Sequence, residues 1–239
     1  MRNGDLIKAV CHIAESEGLT GDNTLFSHSV CPDEINHEEG DITDVLHNHF
    51  GEIFSLGGLA GIPFSGKTGF GAYAHHVPDG GNIFVLFAPH CAVSEEGKCG
   101  YYHREGQAEE STACGAAIGA LGAVKDLAYE PMVDVMSYDV QMQYIKNLIW
   151  KNKERITTAP NSIAEATYVL YDHIHDYIRH IVDKKYIHHG KIMILGGIQI
   201  NVEPDDYFEP KCFFVLTQDG EKTRLEDLKA FDNIPETAK

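Results

Sequence analysis

A single α/β domain is the fold this sequence predicts, and three observations predict it. Asn82–Ala88 (NIFVLFA) is an almost unbroken apolar run between Gly-Gly and Pro, the pattern of a central strand covered on both faces. Apolar residues recur at helical spacing near the start of the chain and again over residues 142–182. No linker, repeat or low-complexity segment divides the 239 residues, which are enough to bury one substantial core. Within residues 1–239 we distinguish an N-terminal helix (1–20), a core (24–125) and a helical and late-strand part (126–239).

The elements follow in order. Leu6, Ile7, Val10, Cys11, Ile13 and Ala14 make an amphipathic stripe, and Gly18 stops the helix. Residues 25–30 read as a strand, which delivers Cys31, Pro32 and the carboxylates Asp33 and Glu34. Ile42, Val45 and Leu46 mark a short helix beginning near Asp41. His47-x-His49 has ligand residue types, but at i, i+2 on a helix the rings diverge.

Residues 51–81 are rich in glycine, and 61–68 (GIPFSGKT) match the phosphate-loop pattern. That mechanism needs a strand feeding the loop and a helix opening at Lys67-Thr68. Pro63 inside the loop, and Gly69 and Gly71 after it, argue against such a helix. A glycine-permitted loop packed over other chain is expected instead. After the central strand come a turn (94–97) and a short strand (98–104). Ser111 or Thr112 then caps a helix whose first turn holds Cys114. Gly115, Ala116, Gly119, Ala120 and Gly122 leave that helix nearly bare, suited to close approach by a sheet or a second chain.

Further on, Met142, Ile145, Leu148 and Ile149 form one stripe. Ser162-x-x-Glu165 reads as a capping box opening a long helix to Val182, with His173, His175 and His180 as packed or surface imidazoles. Residues 191–202 and 212–216 are late strands.

Composition narrows the partners. Asp and Glu total 36 against 19 Lys and Arg, a formal charge of −17, with no basic stripe for nucleic acid or an anionic membrane surface. No apolar run approaches the roughly 18 residues that span a bilayer. The six cysteines show neither CxxC pairing nor the density of a disulfide scaffold, so free thiols in a reducing soluble compartment are expected. No targeting segment is visible at the N-terminus. Cytoplasm fits, as does plastid stroma after removal of a leader.

Three residues stand at element ends that can face one crevice: Cys31, His90 and Cys114. In open α/β sheets, sites gather outside the carboxyl ends of strands. Two thiolates and one imidazole make a three-ligand zinc site with a vacant fourth position, and the thiolates neutralise the dication. The helix N-terminus is expected to lower the Cys114 thiol. A rival set, His90–Cys91–Cys99, would clip a hairpin, although adjacent residues on a strand face opposite ways.

FSHSVCPDE, GGLAGIPFSGKTGFGAYAHHVPDGG, APH, HREGQ and STACGAAIGAL resemble the limiting-CO2-inducible protein B/C family, which is similar in fold and metal site to β-carbonic anhydrases. The likeness runs from about residue 25 to 125, and more loosely to GGIQIN near 200. It implies a mostly parallel central sheet flanked by helices, and a zinc centre on Cys31, Asp33, His90 and Cys114. β-Carbonic anhydrases write Cys-x-Asp-x-Arg and His-x-x-Cys; here Ile35 takes the arginine position and residues 91–113 separate His90 from Cys114. Arg104 is the candidate to complete the Asp–Arg pair, its alternative being a surface cation at a strand end.

The implied activity is zinc-dependent, reversible hydration of CO2 to bicarbonate and a proton by zinc-bound hydroxide. Asp33 is expected to be held ionised by a bidentate Arg104. The 61–71 loop would wall the CO2 pocket, and an imidazole such as His75 or His76 would carry the proton. The alternative is a low-turnover inorganic-carbon binding or regulatory subunit of a CO2-concentrating system, with structural zinc. The resemblance also implies a homodimer, or a heteromer with a paralogue.

Overall fold

Seven strands form the central sheet, and its register explains where the site falls. The computed structural model describes residues 1–51, 53–126, 128–132, 134, 136–186 and 190–232. The strands in chain order are β1 (Thr24–Val30), β2 (Ile53–Ser55), β3 (Asn82–Ala88), β4 (His90–Ala92), β5 (Tyr101–Tyr102), β6 (Ser111–Thr112), β7 (Ile192–Asn201), β8 (Tyr207–Thr217) and β9 (Gly220–Thr223). The sheet order is β2-β1-β3-β7-β8-β9, with β4 also paired to β7, while β5 and β6 make a separate ribbon. Pairings among β2, β1, β3, β7 and β4 are parallel; β8 and β9 add antiparallel.

Side-chain alternation along the strands builds two cores. Ile83, Val85 and Phe87 of β3, with Ile192, Ile194 and Ile198 of β7, face one layer. Phe84, Leu86 and Ala88, with Met193 and Leu195, face the other. The second layer consists of α1 (Asn3–Ser16), α2 (Ile42–Phe50) and residues near the chain end. The first is built from α3 (Gly66–Ala74), α4 (Gly115–Lys125), α5 (Val140–Lys151), α6 (Lys153–Thr158) and α7 (Ser162–Ile181); α8 (Leu225–Asp232) packs on α1. Burial on both faces is why β3 from Ile83 and β7 up to Ile198 are apolar. No helix among the described residues is long and apolar enough to cross a membrane. Residues 233–239 of the expected C-terminal part lie outside the described residues.

Three local expectations are corrected. Residues 66–74 are helical despite Gly69 and Gly71, because Phe70, Tyr73 and Ala74 bury their side chains. That burial outweighs a glycine penalty of about 1 kcal/mol per residue. A helix therefore opens at Lys67-Thr68 after all; the feeding strand is still missing, since β2 ends at Ser55. The N-cap of α7 is Asn161, whose Oδ1 accepts from the Ile163 and Ala164 amides, and Glu165 pairs instead with Arg155 at 2.6 Å. Ser111 and Thr112 belong to β6, and Cys114 itself occupies the N-cap position of α4.

Candidate metal centre

The parallel strands deliver their carboxyl ends to one edge of the sheet. Val30 pairs with Ala88, so the residues that follow, Cys31 on one strand and Pro89-His90 on the other, emerge side by side. Cys114 comes from far along the chain but is tied to the same edge by the backbone. Ala92 N–H donates to Ala113 O at 3.0 Å, and Ala113 N–H to Gly100 O at 3.1 Å.

The result is a buried cluster of two sulfurs and one imidazole. Ligand atoms of Cys31, His90 and Cys114 all lie within 4.8 Å of one another, and no other such group occurs among the described residues. The two Sγ atoms are 3.8 Å apart. His90 Nε2 is buried with no hydrogen-bond partner, although the residue is only 1% exposed. A buried, unpaired ring nitrogen costs free energy unless something meets its lone pair. The donor set suits zinc, for which thiolate and imidazole are preferred ligands.

Asn201 fixes which nitrogen is free. Its Nδ2 donates to Ile35 O at 3.1 Å and to Asp206 Oδ2 at 2.8 Å, which uses both amide hydrogens. Its Oδ1, an acceptor only, therefore faces His90 Nδ1 at 2.9 Å. Nδ1 must then carry a proton, which leaves Nε2 as the ring nitrogen that would offer its lone pair to a metal. Sequence reading missed Asn201. The available signal was Gln199 and Asn201, polar residues at strand period in an apolar segment.

Charges in the cluster are shared. Cys31 is pulled well below the ordinary thiol range, first by the hydrogen bond from Cys114 and then by His90, against the opposing effect of burial. Cys114 is pushed well above it by giving that hydrogen bond, and burial adds to the rise. The Ala116 and Ala117 amides at the start of α4 act in the lowering direction but are outweighed. The expected lowering of Cys114 by the helix is thus outweighed by the second sulfur and by burial.

Asp33 stands beside the cluster without joining it. Its Oδ2 is 3.7 Å from His90 Nε2, and its Oδ1 accepts from Arg104 Nη2 at 2.7 Å. Arg104 is also held by Ser111 Oγ at 2.5 Å and by Glu34, which takes Nε. The guanidinium is therefore divided between two carboxylates and is not bidentate on Asp33, a second correction. Burial raises the Asp33 carboxyl above its usual range; His90 and Arg104 lower it but do not cancel burial and Glu34.

The glycine-rich segment covers the same edge. A Cβ on Gly57 would lie 2.7 Å from Val30 O, and one on Gly61, at φ +77°, 2.6 Å from Ala88 O. Only glycine permits that approach. Leu56, Ala60 and Ile62 join Cys31 and Cys114 in one buried apolar cluster.

Other candidates fall away from this edge. The Tyr73 hydroxyl donates to Leu25 O at 2.5 Å, so α3 ends at the opposite end of β1. His75 and His76 come two and three residues after Tyr73, which places them toward the far end of β1, roughly 20 Å from Cys31 at strand rise. His49 faces Glu15 at 3.9 Å and belongs to no ligand cluster among the described residues. Cys91 points away from His90 and meets Cys99, so the His90–Cys91–Cys99 set is not assembled.

Comparison with known proteins follows the geometry. The family model described as limiting CO2-inducible proteins B/C beta carbonic anhydrases matches residues 1–217. The chain is similar to the crystal structure of PtLCIB4, a homolog of the limiting CO2-inducible protein LCIB, at TM-score 0.82 and 30% identity, covering 93% of each chain. It is similar in fold to LCIB itself at TM-score 0.72 and 21% identity, covering 93% of this chain and 92% of that one. No curated protein matches the chain significantly.

Proposed function

The chain belongs to the limiting CO2-inducible protein B/C β-carbonic anhydrase family, and from that premise we propose that it catalyses the reversible hydration of CO2 to bicarbonate and a proton. In this reading Cys31, His90 and Cys114 hold zinc. The carrying observation is the buried, unpartnered His90 Nε2 aimed at two cysteine sulfurs. Zinc at such a site lowers the pKa of a coordinated water toward about 7, which supplies a nucleophile at neutral pH.

The chain's own groups do the rest. Asp33 Oδ2 faces the cluster as a hydrogen-bond acceptor, while Arg104 restrains Oδ1. That restraint orients the carboxylate and keeps it from closing on the metal position. Leu56, Ala60 and Ile62 offer an apolar wall suited to CO2, which has no net charge to solvate. Ser111 and Glu34 hold the guanidinium from the sides not used by Asp33.

Self-association is part of the proposal. Met132, Met136, Tyr138 and Val140 are exposed in or just before α5, apolar surface of the kind a homodimer covers. Sedimentation at varied concentration tests it, and a monomer throughout would contradict it.

Stopped-flow CO2 hydration, with zinc measured on the same samples, tests the activity. The wild type is expected to turn over, and Asp33→Asn and Arg104→Ala to lose about tenfold or more with zinc retained. A zinc-loaded wild type without turnover would instead favour the inorganic-carbon binding or regulatory role.

A further inference from the structure

β4 has two faces, and its second one carries chemistry that CO2 hydration does not use. His90 points to the metal centre; Cys91, the next residue, points the other way. Its Sγ lies 3.2 Å from Cys99 Sγ, and both are free thiols. The turn at residues 94–97, closed by Gly97 N–H to Ser94 O at 2.8 Å, and the Val93–Cys99 bridge hold the two cysteines opposite each other. Joining the sulfurs to a bond of about 2.05 Å asks for about 1 Å of movement.

The two thiols differ in access. Cys91 is buried and Cys99 is partly exposed, and both border a cavity of about 120 Å³ with Thr167, Tyr168 and Ile198. Cys99 is drawn down to about 7, first by the hydrogen bond from Cys91, against burial, and then by the Asn161 side chain and the Ala164 amide at the start of α7. An accessible, acidified thiol at a helix N-terminus with a second thiol in contact is the arrangement of an exchange-active pair.

We propose that Cys91 and Cys99 are a two-electron thiol–disulfide couple that exchanges with small-molecule disulfides of the glutathione class. Cys99 thiolate attacks one sulfur of glutathione disulfide; that S–S bond breaks and one glutathione thiolate leaves. Cys91, giving its proton to solvent, then attacks Cys99 Sγ and displaces the second glutathione thiolate. Both cysteines are oxidised to one disulfide, and glutathione disulfide is reduced to two thiols, each thiolate taking up one proton. Zinc held by Cys31 and Cys114 would withhold both of those sulfurs from exchange.

Trypsin makes the test direct, since cleavage after Lys98 separates the two residues. Zinc-loaded, full-length protein is treated with glutathione disulfide near neutral pH, alkylated, digested and weighed. Peptides 68–98 and 99–104 are expected to stay linked and to separate with dithiothreitol. Cys91→Ser is expected to stop at a glutathione adduct on Cys99, and Cys99→Ser to leave Cys91 unmodified. Zinc content and circular dichroism confirm that each variant is folded. Full alkylation of both cysteines in treated wild type, or glutathione on Cys91 in Cys99→Ser, overturns the proposal.

Discussion

Two sulfur pairs flank one strand: Cys31 with Cys114 at 3.8 Å, and Cys91 with Cys99 at 3.2 Å. Each has a helix N-terminus beside it, α4 for the first and α7 for the second. What separates them is a third donor. His90 joins the first pair with a buried ring nitrogen that has no hydrogen-bond partner, and among the described residues no imidazole or carboxylate forms a ligand cluster with the second. Access differs too, since both sulfurs of the first pair are buried whereas Cys99 is partly exposed. Proximity of thiols is therefore not a function in itself. An imidazole within reach suits the first pair to a metal, and an open edge suits the second to exchange.

The strongest way to break this comparison is to remove one sulfur from each pair. Cys31→Ser is expected to lose zinc affinity by more than about 100-fold, and Cys91→Ser to keep the affinity measured for wild type. Equilibrium competition with a chromophoric chelator reads both. Zinc at a thousandfold excess over its dissociation constant adds about 4 kcal/mol of stability. Chelation should therefore lower the melting temperature of wild type and of Cys91→Ser but not of Cys31→Ser.

A smaller effect comes from the residue that aims the imidazole. Asn201→Ala frees the ring to choose its tautomer and should weaken zinc about 10- to 100-fold while the fold persists. An unchanged affinity would remove Asn201 from the account. Smallest is the cost of Cys91→Ser to folding, about 1 kcal/mol by denaturant titration, because serine is close in size and its hydroxyl has Ala92 O within reach as an acceptor. In pH, Cys99 should alkylate with a midpoint near 7, faster above it as thiolate forms, while zinc-held Cys31 stays protected.

The legible parts of the chain were those where one signal dominates. NIFVLFA is β3 to the residue, because a strand buried on both faces leaves no other reading. Cys31, His90 and Cys114 were visible as element-end residues of ligand type, and Arg104 as a spare cation between them. Helix α3 was not, because burial of Phe70 and Tyr73 is a tertiary fact that local glycine content opposes. Nor was the division of Arg104 between Asp33 and Glu34, which depends on a loop geometry that no spacing encodes. His75 and His76 were misplaced for a topological reason, since a helix between parallel strands returns to the far end of the sheet.

The most direct measurement is X-ray absorption at the zinc edge on the purified protein as isolated. The account predicts two sulfur ligands near 2.3 Å and one imidazole nitrogen near 2.0 Å about a single zinc, with the remaining ligand a light oxygen atom. A shell of four sulfurs, or no sulfur at all, would contradict it.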